Sequence, residues 1–532
     1  MSVTDLTDLV RRSLAEETKS TFTRRARRQA DLLRRELGSG AFENEVCSIG
    51  LELEAYAVDE EGRVARVPDS VFETAPCAKE LGLHNVEFNT EPAVFDESGI
   101  DQQREQVQTA VETTAETLGE GDLDLVLDAM WVIPPGEGTV SYLSESSSNG
   151  GITVASNMRP SARYAAIDNE IVEDFGGEVE LSLPGIQVGF PSILVESLTT
   201  SVQPHLQVPD VETFPRVFNL GLRTLGPILS LATNSPFLPA DLYEIESGSK
   251  NAETIDGRYG GTIPDTVDAD PFAILNETFH ELRIPVFEQA INTDPDDRKV
   301  RVPRDLDRPS DVVDRLLADR TCAPFLKEWV KDADEVDSYA DRIWELNHKR
   351  GTYWRWLRPV VGGQAIPGVD ERSLRLEYRP IPTQPTVDDT LGVTCLVLGA
   401  ITGLVRSSHP VENLGWQTAR RNFYRAVEDG LDAQFVWIDE TGDRTEDRDV
   451  VFGELFEYAR RGLEARGFGN GAIEECLSPI EARYHDQTTP SRWKIERVRE
   501  NLEEGDSLRM AIESMQRAYI DRSQAAVPFV EW

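Results

Sequence analysis

Gly50-Leu51-Glu52-Leu53-Glu54 alternates apolar and acidic side chains within a longer run, residues 46–58, that predicts a β-strand. In a strand, side chains two residues apart share a face, so both carboxylates point one way and both leucines point into a core. Two like charges this close repel each other unless a cation lies between them. The stretch therefore predicts a sheet whose polar face either binds a hard cation or is solvated.

The same period recurs in three further stretches, which alternate apolar residues with side chains suited to metal or phosphate: Glu87 and Asn89, His205 and Gln207, and Arg375, Glu377 and Arg379. Carboxylates, one imidazole and amide oxygens suit Mg²⁺ or Mn²⁺, hard ions that prefer oxygen ligands. Zinc would require more histidine or cysteine. The four stretches together favour a magnesium- or manganese-binding face over a solvated one.

Three arginines accompany these strands and suggest an anionic substrate. Arg358, Arg375 and Arg379 can bind phosphate or carboxylate oxygens bidentately, although each can instead pair with one of the many acids. The sequence contains no GxxxxGK[ST] motif, so a P-loop is excluded. Neither GxSxG nor GxGxxG follows a predicted strand. A nucleotide would therefore have to bind through metals and arginines on the sheet.

The charge balance restricts the partners. Of 532 residues, 95 are acidic and 54 basic, which gives a formal net charge of −41, and only eight of the basic residues are lysines. An acidic surface of this kind is typical of proteins in concentrated salt, where screening removes self-repulsion, and we predict a halophilic source. Nucleic-acid binding needs clustered positive charge and is not expected. The one basic stretch, residues 24–28, predicts a solvated or docking face of a helix.

Cysteine usage and hydropathy predict a cytoplasmic protein. Five cysteines are scattered singly, which argues against a disulfide framework and suits a reducing compartment. The N-terminus lacks the basic-then-apolar order of a signal peptide. The longest apolar run, residues 391–405, is too short to span a bilayer and predicts a buried helix. We expect no membrane partner, and the oligomeric state, including a homo-oligomer, stays open.

The hydrophobic pattern divides the chain into three predicted parts: an N-terminal helix over residues 1–40, a catalytic domain over 41–435 and a helical region over 436–532. The Pro-, Gly- and Ser-rich residues 134–151 predict a mobile loop, of the kind that often forms a lid, and residues 244–263 predict an irregular loop.

Five motifs in this order resemble the glutamate–cysteine ligases and related carboxylate–amine ligases. They are Gly50 to Glu54, Glu87-Phe88-Asn89-Thr90-Glu91-Pro92, His205-Leu206-Gln207-Val208, Ala232-Thr233-Asn234-Ser235-Pro236-Phe237, and Leu376-Glu377-Tyr378-Arg379-Pro380 through Gln384-Pro385-Thr386. The resemblance covers about residues 49–404. It implies an α+β fold similar to the catalytic domain of glutamine synthetase, a curved antiparallel β-sheet funnel with outer helices, here with helical additions at both ends.

The resemblance also implies a reaction, in which ATP phosphorylates the γ-carboxylate of glutamate and an amine then attacks the acyl phosphate. The implied metal ligands are Glu52, Glu54, Glu87, His205 and Glu377. The implied nucleotide-side residues are Glu52, Arg358, Arg375 and Gln207, the catalytic residues Glu54, Glu377 and Arg379, and the substrate-positioning residues Asn89, Arg163 and Asn234.

The resemblance leaves the substrates open. Cysteine is the first candidate acceptor, and it would give γ-glutamylcysteine. The sequence departs from many relatives at His205-Leu206-Gln207, where they have two histidines, and this departure affects the substrate more than the reaction type. The alternatives are a ligase for a different acid or amine, a catalytically silent binding protein on the same fold, and a metal-dependent hydrolase.

Overall fold

The structure is a computed structural model that describes residues 3–245, 270–294, 296, 298–330 and 338–532. Most of the predicted loop over residues 244–263 lies outside these residues. The strands are β1 (Ser48–Val58), β2 (Ala78–Lys79), β3 (Asn85–Asn89), β4 (Ala93–Val94), β5 (Asp124–Val126), β6 (Ser146–Asn149), β7 (Ile152–Ala155), β8 (Val179–Leu183), β9 (Ile186–Phe190), β10 (Ser201–Val208), β11 (Leu357–Val361), β12 (Leu374–Tyr378), β13 (Ile381–Pro382), β14 (Trp437–Ile438) and β15 (Arg444–Thr445).

The helices begin and end as follows: α1 (Val3–Leu14), α2 (Glu16–Leu37), α3 (Val71–Thr74), α4 (Glu97–Gly119), α5 (Thr139–Ser144), α6 (Ala162–Asp174), α7 (Phe214–Ala232), α8 (Pro271–Glu277), α9 (Arg283–Ile291), α10 (Asp311–Ala318), α11 (Tyr339–Arg342), α12 (Trp344–Arg350), α13 (Val387–Ser407), α14 (Trp416–Asp429), α15 (Arg448–Glu464), α16 (Asn470–His485), α17 (Pro490–Glu504) and α18 (Leu508–Gln524).

Nine of the strands form one antiparallel sheet in the order β11-β12-β10-β1-β3-β2, with β13 paired to β10 and with β4 and β5 paired to β1. Helices and an antiparallel sheet in one chain confirm the predicted α+β class. The finer prediction of a glutamine synthetase-like funnel stays a prediction.

The strand register gathers the polar side chains on one face. Glu52 lies opposite Gln203 on β10, and His205 lies opposite Glu377 on β12. Because side chains alternate between faces, these residues point to the same side of the sheet. Leu51 and Leu53 point to the other side and are buried in the core, as the alternation predicts.

The outer helices pack against that core at very short range. A Cβ atom added to Gly403 on α13 would lie 1.8 Å from the backbone oxygen of Tyr458 on α15, so only glycine allows this approach. Helix α13 begins after Thr386, whose hydroxyl accepts a hydrogen bond from the backbone N–H of Asp389. This close packing makes α13 a central element of the helical layer.

Helix α13 is longer than its apolar run suggests. With 21 residues it is long and apolar enough to cross a membrane by length and composition, so the prediction that it is too short to do so is wrong. However, 83% of its most apolar window is buried inside the protein, which confirms the predicted buried helix.

Two other segments differ in detail from the prediction. The N-terminal helix is two helices, with a break at Ala15, and Arg25 on α2 docks onto the body of the protein through Glu328 and Glu345. Residues 134–151 are not a simple loop, because they contain α5 and β6. Leu143 on α5 is fully buried, and this apolar anchor outweighs the turn-forming composition around it.

Candidate active site

Three strands place a possible metal-binding triad on the polar face: Glu52 on β1, His205 on β10 and Glu377 on β12. One ligand atom from each residue lies within 4.8 Å of the other two. His205 Nε2 is 3.3 Å from Glu52 Oε1, and it is buried without a hydrogen-bond partner. Two carboxylates and an imidazole nitrogen with no other partner fit a divalent cation such as Mg²⁺ or Mn²⁺.

Two arginines compensate the charge of Glu377. Arg358 donates to both of its carboxylate oxygens, and Arg379 Nη1 donates to Glu377 Oε1 at 2.6 Å. Burial alone would raise the pKa of Glu377, but these guanidinium groups hold it well below its ordinary value. Burial likewise opposes ionisation of Glu52, yet the neighbouring His205 lowers the Glu52 pKa. Both triad carboxylates are therefore ionised at neutral pH.

A second group of carboxylates, which we call the acidic group, lies beside the triad and consists of Glu54, Glu80, Glu87 and Glu196. Glu54 lies directly opposite Glu87 in the β1–β3 pairing. Glu54 Oε2 accepts a hydrogen bond of 2.8 Å from the backbone N–H of Ser201. All four side chains line one cavity of about 310 Å³.

The pKa values of the acidic group are shifted in the opposite direction from those of the triad. Burial in the cavity, together with the charges of Glu80 and Glu52, raises the pKa of Glu87 to about 9. Burial and the charge of Glu54 raise the pKa of Glu80 to about 8 and that of Glu196 to about 7. A cation that entered this cavity would relieve the repulsion among these desolvated carboxylates and lower their pKa values.

Two cavities meet at the triad. The larger one, of about 310 Å³, also has an apolar and aromatic wall that includes Phe287 and Trp354. The smaller one, of about 280 Å³, is lined by His205, Asn89 and Gln207. Glu52 and Arg375 line both cavities. Glu52 of the triad therefore lies where two bound substrates could meet.

Several guanidinium groups face the larger cavity. Arg163 on α6 packs against Gly351, where an added Cβ would lie 1.8 Å from Arg163 Nη2. Arg163 has no carboxylate partner within the part of the chain that the structure describes, and burial lowers its pKa. Burial and the charge of Arg358 lower the pKa of Arg350 to about 9. Arg375 Nε is buried without a hydrogen-bond partner. This end of the cavity is built for an anion.

The remaining predicted residues lie in different surroundings. Asn89 is exposed at the rim of the smaller cavity. The amide of Gln207 is held by the backbone, because its Oε1 accepts from the Ser48 N–H and its Nε2 donates to the Val208 carbonyl. Asn234 is fully buried, lines neither cavity, and donates to Thr383 O and Tyr519 Oη. The structure does not bring Asn234 to the substrate cavities.

Comparison with known proteins identifies the family. The sequence matches the family model "Glutamate-cysteine ligase family 2 (GCS2)" over residues 48–522. The chain belongs to this family. The match covers the sheet, both cavities and most of the C-terminal helices, so the resemblance recognised in the five motifs is confirmed and extends beyond the residues predicted.

Solved structures similar to this GCS2 chain include a glutamate–cysteine ligase from Francisella tularensis in complex with AMP, with 14% identity and a TM-score of 0.49, covering 91% of this chain and 90% of that one. A bifunctional glutathione synthetase from Pasteurella multocida has 14% identity and a TM-score of 0.48, covering 93% of this chain and 55% of that one. A glutamine synthase homologue has 12% identity and a TM-score of 0.28, covering 93% and 74%. No curated protein matches the sequence.

Three cavity residues of this GCS2 chain escape prediction from the sequence, namely Glu80, Glu196 and Arg350. None of them lies in a strand of alternating pattern: Glu80 follows β2, Glu196 lies in a 3₁₀ turn before β10, and Arg350 ends α12. A single acid in a chain with 95 of them carries no local signal. Only the fold shows that these residues face the cavity.

Proposed function

We propose that this GCS2 chain is an ATP- and Mg²⁺-dependent γ-glutamyl ligase that joins the γ-carboxylate of glutamate to an amine through an acyl phosphate. Cysteine is the first acceptor to test. The observation that carries the proposal is that the triad and the acidic group lie close to Arg163, Arg350 and Arg375, which form no ion pair with a carboxylate among the described residues. Such a site can hold cations and polyanions together, as phosphoryl transfer from ATP requires.

The metal ligands follow from the two carboxylate groups. Glu52, His205 and Glu377 would hold one ion, and Glu54, Glu80 and Glu87 would hold a second. When bound, such ions neutralise phosphate oxygens and orient them for transfer. Without an ion, nothing in the acidic group would attract the phosphates of ATP, and this supports the proposed magnesium dependence.

The two cavities would divide the substrates between them. We assign ATP to the smaller cavity, beside Gln207 and Arg375, and glutamate with the amine to the larger one. Arg163 and Arg350 would bind a substrate carboxylate, since neither forms an ion pair with a carboxylate among the residues that the structure describes. Arg358 and Arg379 act indirectly, because they hold Glu377 ionised and in position.

The reaction needs little covalent help from the protein. The glutamate γ-carboxylate oxygen attacks the γ-phosphorus of ATP, and the bond to ADP breaks. The amine nitrogen then attacks the acyl carbon, the C–N bond forms, and the C–O bond to phosphate breaks as phosphate leaves. The apolar wall around Phe287 and Trp354 would keep water from the acyl phosphate.

The decisive experiment measures phosphate release from ATP in concentrated KCl with glutamate and a panel of amines, with the peptide product followed by mass spectrometry. We expect release that depends on Mg²⁺, glutamate and one amine. Release without any amine would instead indicate a hydrolase, and no release with any pair would favour a silent binding protein. His205→Ala should lose turnover, whereas Glu91→Gln, an exposed acid near β3 that lines neither cavity, should not.

A further inference from the structure

A third cavity lies away from the active site, between residues 298–304 and helix α14. Its volume is about 360 Å³, and it is lined by Arg298, Arg301, Arg304, Arg420, Trp416 and Tyr424, together with Val302. None of these lining residues is acidic, although the chain carries 95 acids and only 54 basic residues. Arg304 and Arg420 are like charges that line one space, and they repel each other unless an anion lies between them.

Two of these arginines are held by aromatic rings. The guanidinium carbon of Arg304 lies 3.6 Å from the ring centre of Trp416, and that of Arg420 lies 4.8 Å from the ring centre of Tyr424. In the described ranges of the chain neither arginine has a carboxylate partner. Stacking on a ring fixes the plane of a guanidinium and leaves the N–H groups at its edge able to bind an anion.

The two rings are themselves fixed. Trp416 Nε1 donates a hydrogen bond of 2.5 Å to the Pro303 carbonyl, and Tyr424 Oη donates one of 2.6 Å to Glu288 Oε1. The stacked arginines therefore stand on rings that cannot easily turn. A site whose donors are held in place before the ligand arrives loses less entropy on binding.

We propose that this arginine cavity is a second binding site, for a small polyanion that carries phosphate or carboxylate groups. The planar guanidinium groups of Arg304 and Arg420 each offer several N–H donors, so together they match several anionic oxygens rather than one. Two of the guanidinium groups already cover Trp416 and Tyr424, so recognition rests on charge and hydrogen bonds and not on stacking of a base.

The arginine cavity is connected to the active site by a short path. Trp356 Nε1 donates to the same Glu288 oxygen as Tyr424, at 2.9 Å, and its backbone N–H donates to the Arg301 carbonyl at 3.1 Å. Phe287, next to Glu288, packs against Trp356 and lines the larger cavity. We infer that an anion bound to Arg420, which stacks on Tyr424, acts through Glu288 and Trp356 on the wall of the larger cavity. This second part of the proposal rests on the proposed function.

Binding is tested first, independently of catalysis. Pyrophosphate and citrate, as phosphate and carboxylate probes, are titrated calorimetrically into the full chain without metal in constant high KCl. We expect one binding event that is weakened at least tenfold in Arg304→Ala/Arg420→Ala and retained in Arg421→Ala, a matched control on the exposed side of α14. The probe that binds more tightly identifies the anionic group.

Two further results decide the binding part. The variant Arg304→Lys/Arg420→Lys keeps the charge but not the planar fork, and we expect it to weaken binding as well. It also provides a folded comparison if the alanine variant fails to fold. An isotherm of the lysine variant that equals the wild-type isotherm, or of a folded alanine variant that does so, would overturn the proposal.

The connection is tested by turnover. We expect the tighter-binding probe to change the KM for the acceptor amine at least twofold in the wild type and not in Arg304→Ala/Arg420→Ala, whose basal rate stays unchanged. If the probe binds without any change in KM, the proposed connection is overturned, but the proposed binding site still stands. A chain that turns over no substrate would overturn the proposed function, while calorimetry would still decide the binding site.

Discussion

The triad and the acidic group lie side by side in the candidate active site, yet their carboxylates behave in opposite ways. Glu377 is fully buried, and its pKa is held well below the ordinary value. Glu87 is only partly buried, and its pKa is raised to about 9. The difference comes from the neighbours, because Arg358 and Arg379 contact Glu377 whereas Glu87 faces other acids.

This contrast indicates how the site is assembled. The triad is complete in the protein alone, because Arg358 and Arg379 keep Glu377 ionised and His205 lowers the pKa of Glu52. The acidic group becomes fully ionised at neutral pH only when a cation arrives. We therefore expect metal binding at the acidic group to depend on bound substrate more strongly than metal binding at the triad does. The following variants test this difference.

The largest effect is expected for Glu377→Gln. It leaves the buried guanidinium groups of Arg358 and Arg379 without their carboxylate, and breaking a buried pair of this kind costs about 3–5 kcal/mol. Turnover should fall by about 10²-fold or more, the scale of one lost electrostatic contact in a transition state. Urea denaturation and phosphate release measure both effects. A variant as stable as the wild type would show that the arginines do not depend on Glu377.

Glu87→Gln should lose turnover without losing stability. Burial and the charges of Glu80 and Glu52 force Glu87 to take up a proton when the protein folds at neutral pH, and this uptake costs stability. Glutamine needs no proton, so the metal-free variant should be at least as stable as the wild type. Stabilisation by Mg²⁺ should shrink, because it depends on the affinity of the folded state for the ion. Thermal melts with Mg²⁺ and with a chelator measure this, with Glu91→Gln as the matched control. A clear loss of metal-free stability would contradict the contrast between the two groups.

The sequence was sufficient to predict the strands of the active site but not their assembly. Alternation with period two is a local property, so Glu52, Glu54, Glu87, His205 and Glu377 could be found one strand at a time. The pattern could not show that His205 lies opposite Glu377, because the strand register pairs residues that are far apart in the chain. The order of the five motifs along the chain resembles the family, and this resemblance implied that the residues belong to one site.

The misses have a common physical cause. Glu80, Glu196 and Arg350 lie in turns and at an element end, where no periodicity shows which way a side chain points. Asn234 illustrates a different limit. The resemblance implies a substrate-positioning role, whereas in the structure its amide joins the C-terminal helix α18 to the sheet region through Tyr519 and Thr383. Helix α5 shows the absence of periodicity again, since one buried apolar turn is too short to produce a periodic signal.

The pH dependence of stability should separate the two groups again. The folded-state pKa of Glu87, about 9, lies above the ordinary value of 4.5, so the folded protein holds a proton that the unfolded chain releases. The associated stability is complete below pH 4.5 and is lost as the pH rises towards 9. Metal-free protein should therefore become less stable over this range in constant KCl. Glu87→Gln should show a shallower slope, and an unchanged slope would count against the raised pKa.

The smallest effect is expected for Glu196→Gln. Glu196 lines the larger cavity, and burial with the nearby charge of Glu54 raises its pKa to about 7, but it lies outside the six residues assigned to the two ions. Its loss removes one like charge from the acidic group, so Mg²⁺ affinity should fall less than tenfold and turnover should follow. Side-by-side Mg²⁺ titrations with Glu87→Gln measure the difference. An equal loss of Mg²⁺ affinity in the two variants would indicate that Glu196 is a metal ligand. A distant charge acts only through screened Coulomb attraction, whereas a ligand also fills a coordination position.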